Sequence, residues 1–78
     1  MNKIEKYDKV FIESFQVRND VLASLVYQGV DLWDSVGHMK MIAQLEEAFD
    51  IMFETDDILD FSSYNKGLVI LEKYGVKL

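Results

Sequence analysis

The stretch Asp34–Phe49, DSVGHMKMIAQLEEAF, decides how the rest of the chain is read. Ile42, Leu45 and Phe49 recur at helical spacing, with Met41 and Ala48 beside them. That pattern predicts an amphipathic helix, beginning at Asp34 or Ser35 and ending near Phe49, with this face in the core. The opposite face carries Val36, Met39, Lys40, Ala43, Glu46, Glu47 and Asp50. It begins apolar and ends acidic, which suits a docking strip for another protein as well as a solvated face with two stray apolar residues.

Outward from this helix the chain stays helical. Ile4, Tyr7, Phe11 and Phe15, with Val10 alongside, predict a helix over residues 3–16 begun by Asn2. Val17 to Leu32 has no clean period. It mixes turn formers (Asn19, Asp20, Gly29) with apolar anchors (Val21, Leu22, Leu25, Val26, Val30), and reads as a long loop packed across the core, with room for a short helical turn. DDILDF, residues 56–61, predicts a short helix capped by Asp56, with Ile58, Leu59 and Phe61 pointing inward. Ser62 or Ser63 can cap a last helix reaching Tyr74, with Leu68 and Leu71 inside. Gly75 and Val76 suit its stop. The expected fold is all-α: a small four-helix bundle of three main helices and one short one, with a long first connection.

Size and composition bound the function. The 78 residues make one domain, with no room for two cores. Half the residues are apolar and 28% are charged, which suits a folded domain rather than disorder. No apolar run nears the ~20 residues of a membrane span, and MNKIEKYDK has no signal-peptide core, so a cytoplasmic protein without membrane insertion is expected. With no cysteine there is no disulfide and no thiol nucleophile, and a single histidine leaves little for a metal site. The net charge of −6 argues against nucleic acid. The acids are concentrated: residues 31–60 hold nine of them against one base, Lys40. On composition alone they are a solvated face. No second apolar strip suggests a permanent dimer, so a monomer is expected.

Ser35 has three candidate roles. It can be a cap or first-turn residue, the ordinary place for serine before an amphipathic run. It can be a nucleophile with His38, three residues on, as base. But no carboxylate is placed to orient His38, no glycine-rich oxyanion loop is visible, and Trp33 breaks a G-x-S-x-G pattern. Or it can be an attachment point, because a helix N-terminus suits a phosphodiester.

Asp34-Ser35-Val36, LEEAFDI (Leu45–Ile51), DDI (Asp56–Ile58), FSS (Phe61–Ser63) and the closing YGV (Tyr74–Val76) stand in an order and spacing that carry a resemblance. Over almost all its length the chain resembles freestanding acyl carrier proteins. The resemblance implies that a phosphopantetheinyl transferase, using coenzyme A and magnesium, places 4′-phosphopantetheine on Ser35. The chain would then be no enzyme but a carrier of thioester-bound acyl groups. It would present them to loading, modifying and acyltransferase enzymes of a lipid, polyketide or other specialised pathway. It further implies partner contacts at Asp34, Val36, Met39, Lys40, Glu46 and Glu47, and an acyl groove lined by Ile42, Leu45 and Ile58. An aminoacyl or peptidyl carrier, or an unmodified interaction module of the same fold, are the alternatives. The chain departs from fatty-acid carriers at Val36, where leucine is usual, and at Gly37 and Lys40, where acids are usual. Trp33 likewise looks like a specialised carrier. Gly37 also lowers helix propensity by up to ~1 kcal/mol relative to alanine.

Overall fold

Asn2 opens the first helix, α1 (Lys3–Phe15), with a capping box. Its side chain accepts from the Glu5 N–H at 2.9 Å, and the Glu5 carboxylate accepts from the Asn2 N–H at 3.0 Å. Tyr7, Val10, Phe11 and Phe15 form the buried stripe. The computed structural model describes residues 1–78, and it is all-α: four α-helices, one 3₁₀ helix and no strand. The other α-helices are α2 (Ser35–Phe49), α3 (Thr55–Asp60) and α4 (Tyr64–Lys73). No helix is long and apolar enough to cross a membrane.

The connection after α1 is not a featureless loop. It contains the 3₁₀ helix Asn19–Ser24. Of the expected anchors, Leu22 and Leu25 enter the core, Val30 is half-buried, and Val21 and Val26 stay exposed. Beyond the 3₁₀ helix the chain is stitched to the start of α4. The Tyr27 N–H donates to Ser62 O at 2.9 Å and the Tyr64 N–H to Leu25 O at 3.0 Å. These two bonds occupy backbone groups that would otherwise need water, and they hold Tyr27 beside Ser62.

α3 corrects two expectations. Asp56 does not cap it. The N-cap residue is Glu54, with no side-chain cap bond, and Asp56 is an exposed first-turn residue. Leu59 points outward, 77% exposed, while Phe61 is buried. Six residues are too few for a stripe to define a face, so packing decides it. What fastens α3 is Asp57, which is buried. Its carboxylate accepts from Lys73 Nζ at 2.6 Å and from the Tyr74 hydroxyl at 2.5 Å, and that hydroxyl accepts from the Glu54 N–H at 2.9 Å.

The Lys73 bond first, then the Tyr74 bond, hold the Asp57 carboxyl below the usual carboxylate range. A folded-state pKa lower than the unfolded one contributes stability that is complete above the unfolded value, about 4, and is lost as pH falls below it. Asp57→Asn is therefore expected to be less stable at neutral pH and to lose less on acidification. Urea denaturation at a series of pH values measures both, and equal acid slopes in the two proteins would contradict the role given to Asp57.

α4 starts at Ser63, whose hydroxyl accepts from the Lys66 N–H at 2.9 Å. It ends in a Schellman motif: Gly75 is left-handed at φ 81°, the Val76 N–H donates to Leu71 O and the Gly75 N–H to Glu72 O, both at 3.0 Å. The inner face is turned from the expected one. Ile70 and Leu71 are buried and Leu68 only half so. One hydrophobic cluster joins residues of α1, the 3₁₀ helix, α2 and α4, with Ile58 of α3 packed against it and Trp33, Phe11 and Phe15 at its aromatic centre.

Candidate functional site

Asp34, not Ser35, caps α2. Its backbone is extended and its carboxylate accepts from the Gly37 N–H at 2.8 Å. Ser35 is thus the first helical residue. Its side chain is exposed and its hydroxyl makes no hydrogen bond within the chain. The cap takes the Gly37 N–H and the first helical turn takes the His38 N–H, which donates to Asp34 O at 2.8 Å. The Ser35 and Val36 N–H groups remain for solvent or an anion.

His38 is fully committed elsewhere. Its Nδ1 lies 2.9 Å from Trp33 Nε1, and its Nε2 lies 2.8 Å from Ile58 O. An indole N–H only donates, so Nδ1 accepts, and the hydrogen-bond pattern assigns the ring proton to Nε2, which donates to the carbonyl. Neither nitrogen is turned to Ser35. A serine without a base is a poor nucleophile, and the pairing of Ser35 with His38 is set aside on geometry.

Ser35 stands at the rim of a pocket of about 280 Å³, lined by Tyr27, Ser35, His38, Met39, Ile58, Leu59, Phe61 and Ser62. Of the three residues expected on a groove, only Ile58 lines it. Ile42 and Leu45 are 2% and 0% exposed and fill the interior instead. Sequence reading missed Tyr27, Phe61 and Ser62 as pocket walls. In the sequence Phe61 reads as an inward residue of the short helix and Ser62 as a cap for the last one, and Tyr27 lies where no period gives a direction.

The outer face of α2 does begin apolar, with Val36 65% and Met39 52% exposed, and the outward Leu59 of α3 lines the pocket together with Met39. Lys40 and Glu47 are exposed too. Two of the acids expected at this surface are otherwise engaged. Asp34 is the cap, and Glu46 accepts from the Phe53 N–H at 2.9 Å, bracing the segment that leads to α3. Compared with protein-family models, curated proteins and solved structures, the chain has no match.

Proposed function

We propose that the chain is a carrier protein of the acyl carrier type, with 4′-phosphopantetheine attached to Ser35. The observation that carries this reading is a free, exposed serine hydroxyl in the first turn of a helix, at the rim of an apolar pocket, with the nearby histidine unable to serve it as a base. The order of helices, with three longer ones, a short third and a long first connection, supports an acyl-carrier-like four-helix bundle. The residues fit the group. The hydroxyl is accessible, the Ser35 and Val36 N–H groups and the positive end of the α2 dipole favour a phosphodiester, and the Asp34 carboxylate is occupied by the Gly37 N–H.

The arm supplies a terminal thiol that holds an acyl group as a thioester. The chain supplies presentation. Asp34 fixes the first turn and with it the direction of Ser35. Val36 and Met39 give partners an apolar foothold, and Glu47 and Asp50, both exposed, favour partners with a basic rim. Partners would be a phosphopantetheinyl transferase and the enzymes that load, modify and take the acyl group, in a cytoplasmic pathway for a lipid, polyketide or other specialised product. Ser35→Ala tests the reading. After incubation with coenzyme A, magnesium and a broad-range transferase, intact mass is expected to show one arm on the wild type and none on Ser35→Ala. A folded wild type that gains no arm overturns the reading and leaves an unmodified interaction module. A wild type that accepts the arm but is charged only by an adenylating amino acid enzyme is an aminoacyl carrier.

A further inference from the structure

The pocket beside Ser35 is lined by both His38 and Ile58. His38 on α2 is bonded to the Ile58 carbonyl on α3 at 2.8 Å, so a hydrogen bond spans the gap between these helices. The same ring is held from behind by the Trp33 N–H at 2.9 Å, and Trp33 is itself fully buried. Tyr27 meets the His38 ring edge to face at 5.5 Å, and Phe61 does so at 6.2 Å. Tyr27 is fixed in turn by its N–H on Ser62 O. Three separate segments thus meet at one imidazole. Below it, Ile42 and Leu45 pack with the buried core and leave no lining to the pocket. The volume, about 280 Å³, is at the small end of ligand pockets, roughly 300–1,000 Å³.

We propose that His38 is a specificity-determining residue: its bond to Ile58 bars the interior, so the pocket shelters a short or single-ring acyl group, and longer chains stay outside, open to partner enzymes. The inference rests on Ser35 as the attachment point. The occupant follows from the lining. Five of the eight residues, Tyr27, Met39, Ile58, Leu59 and Phe61, are hydrophobic, and besides the committed imidazole the polar groups are the hydroxyls of Ser35, Ser62 and Tyr27. The pocket offers no cation for a carboxylate and little polar surface for a sugar or peptide. A flat ring or a short aliphatic chain lying against Tyr27, His38 and Phe61 gains contact with aromatic faces or edges. A long chain gains only by entering the core, and there it must break a buried bond and displace side chains packed at interior density.

The test does not need the transferase. The chain has no cysteine, so Ser35→Cys offers a single thiol for alkylation. N-benzyl, N-hexyl and N-dodecyl iodoacetamides attach groups of rising length at the same position, and amide chemical shifts report where each one lies. The benzyl and hexyl adducts are expected to shift the Tyr27, Ile58 and Phe61 amides. The dodecyl adduct is expected to leave Ile42 and Leu45 unmoved, and to move them once His38→Phe, which keeps a ring but loses both bonds, is added. Interior shifts with the dodecyl group in the His38 protein would overturn the proposal, as would benzyl and hexyl adducts that leave Ile58 and Phe61 unmoved. So would a His38→Phe protein that matches its parent. Should His38→Phe fold poorly, His38→Leu, which also loses the bond to the Ile58 carbonyl, is the second variant, with interior shifts again expected. Intact mass after transferase treatment of the wild type judges the attachment reading separately, so the failure of one is not mistaken for that of the other.

Discussion

Trp33→Ala is expected to lower the unfolding free energy by about 3–5 kcal/mol, the usual cost of emptying a large aromatic site in a core. Trp33 is 0% exposed although it ends a long connection rather than sitting within a helix. Its ring stacks on Phe15 at 4.8 Å and 11°, and meets Phe11 edge to face at 5.6 Å. Its N–H is the donor that His38 Nδ1 requires. At roughly 0.05–0.15 kcal/mol per residue, a chain of 78 residues is stable by about 4–12 kcal/mol. The substitution therefore removes about a quarter or more of that total, and most or all of it at the lower bound. Trp33→Phe keeps the stack and loses the bond, and should cost about 1–2 kcal/mol. The chain has no other tryptophan, so urea unfolding is followed by far-ultraviolet circular dichroism. A loss below about 0.5 kcal/mol for Trp33→Ala, the scale of a surface change, would mean that the connection is not pinned where the structure has it.

The features legible in the sequence are those set within four or five residues. Asn2, the pair Asp34 and Ser35, the pair Ser62 and Ser63, and Gly75 with Val76 mark helix ends in the sequence, and the structure takes Asn2, Asp34 and Ser63 as caps and Gly75 as the stop. The stripe of α1 and the core face of α2 were equally plain, because a long helix repeats its pattern. α3 is too short for that, and Leu59 accordingly points the other way. Asp56 and Asp57 show the limit well. Both precede an apolar pair, but only contact with Lys73 and Tyr74, 16 and 17 residues on, marks Asp57 as the acid that matters.

The site divides along the same line. Ser35 is visible from its neighbours, and its freedom from His38 is not. Whether that histidine is a base depends on Trp33 behind it and on the Ile58 carbonyl, 20 residues away. Glu46 looks like one acid among many until the Phe53 N–H takes it. The acidic character of the helix is a matter of composition, while the number of carboxylates left for a partner is set by tertiary contacts. Two engaged acids leave fewer free carboxylates near Ser35 than the sequence suggests, with an exposed Lys40 beside them.

Gly37→Ala sets two opposed effects against each other, and the geometry predicts the winner. By helix propensity alone the substitution should stabilise α2 by up to about 1 kcal/mol. But a Cβ on Gly37 would lie 1.8 Å from the Leu32 carbonyl oxygen and 3.0 Å from its carbon. The obstacle is backbone, not the tip of a flexible side chain. Leu32 immediately precedes Trp33, so the carbonyl cannot retreat without moving the indole that is packed on Phe15 and bonded to His38. Crowding of this kind costs about 1–3 kcal/mol, and outweighs the propensity gain. A net loss in urea midpoint is expected, with a shift in Trp33 emission as the ring is displaced. The glycine is thus the condition for folding the connection back over the first turn of α2. Any side chain at this position would collide with the same carbonyl. A Gly37→Ala protein more stable than the wild type would refute the close approach of Leu32, and with it the account of why Trp33 and His38 meet behind Ser35.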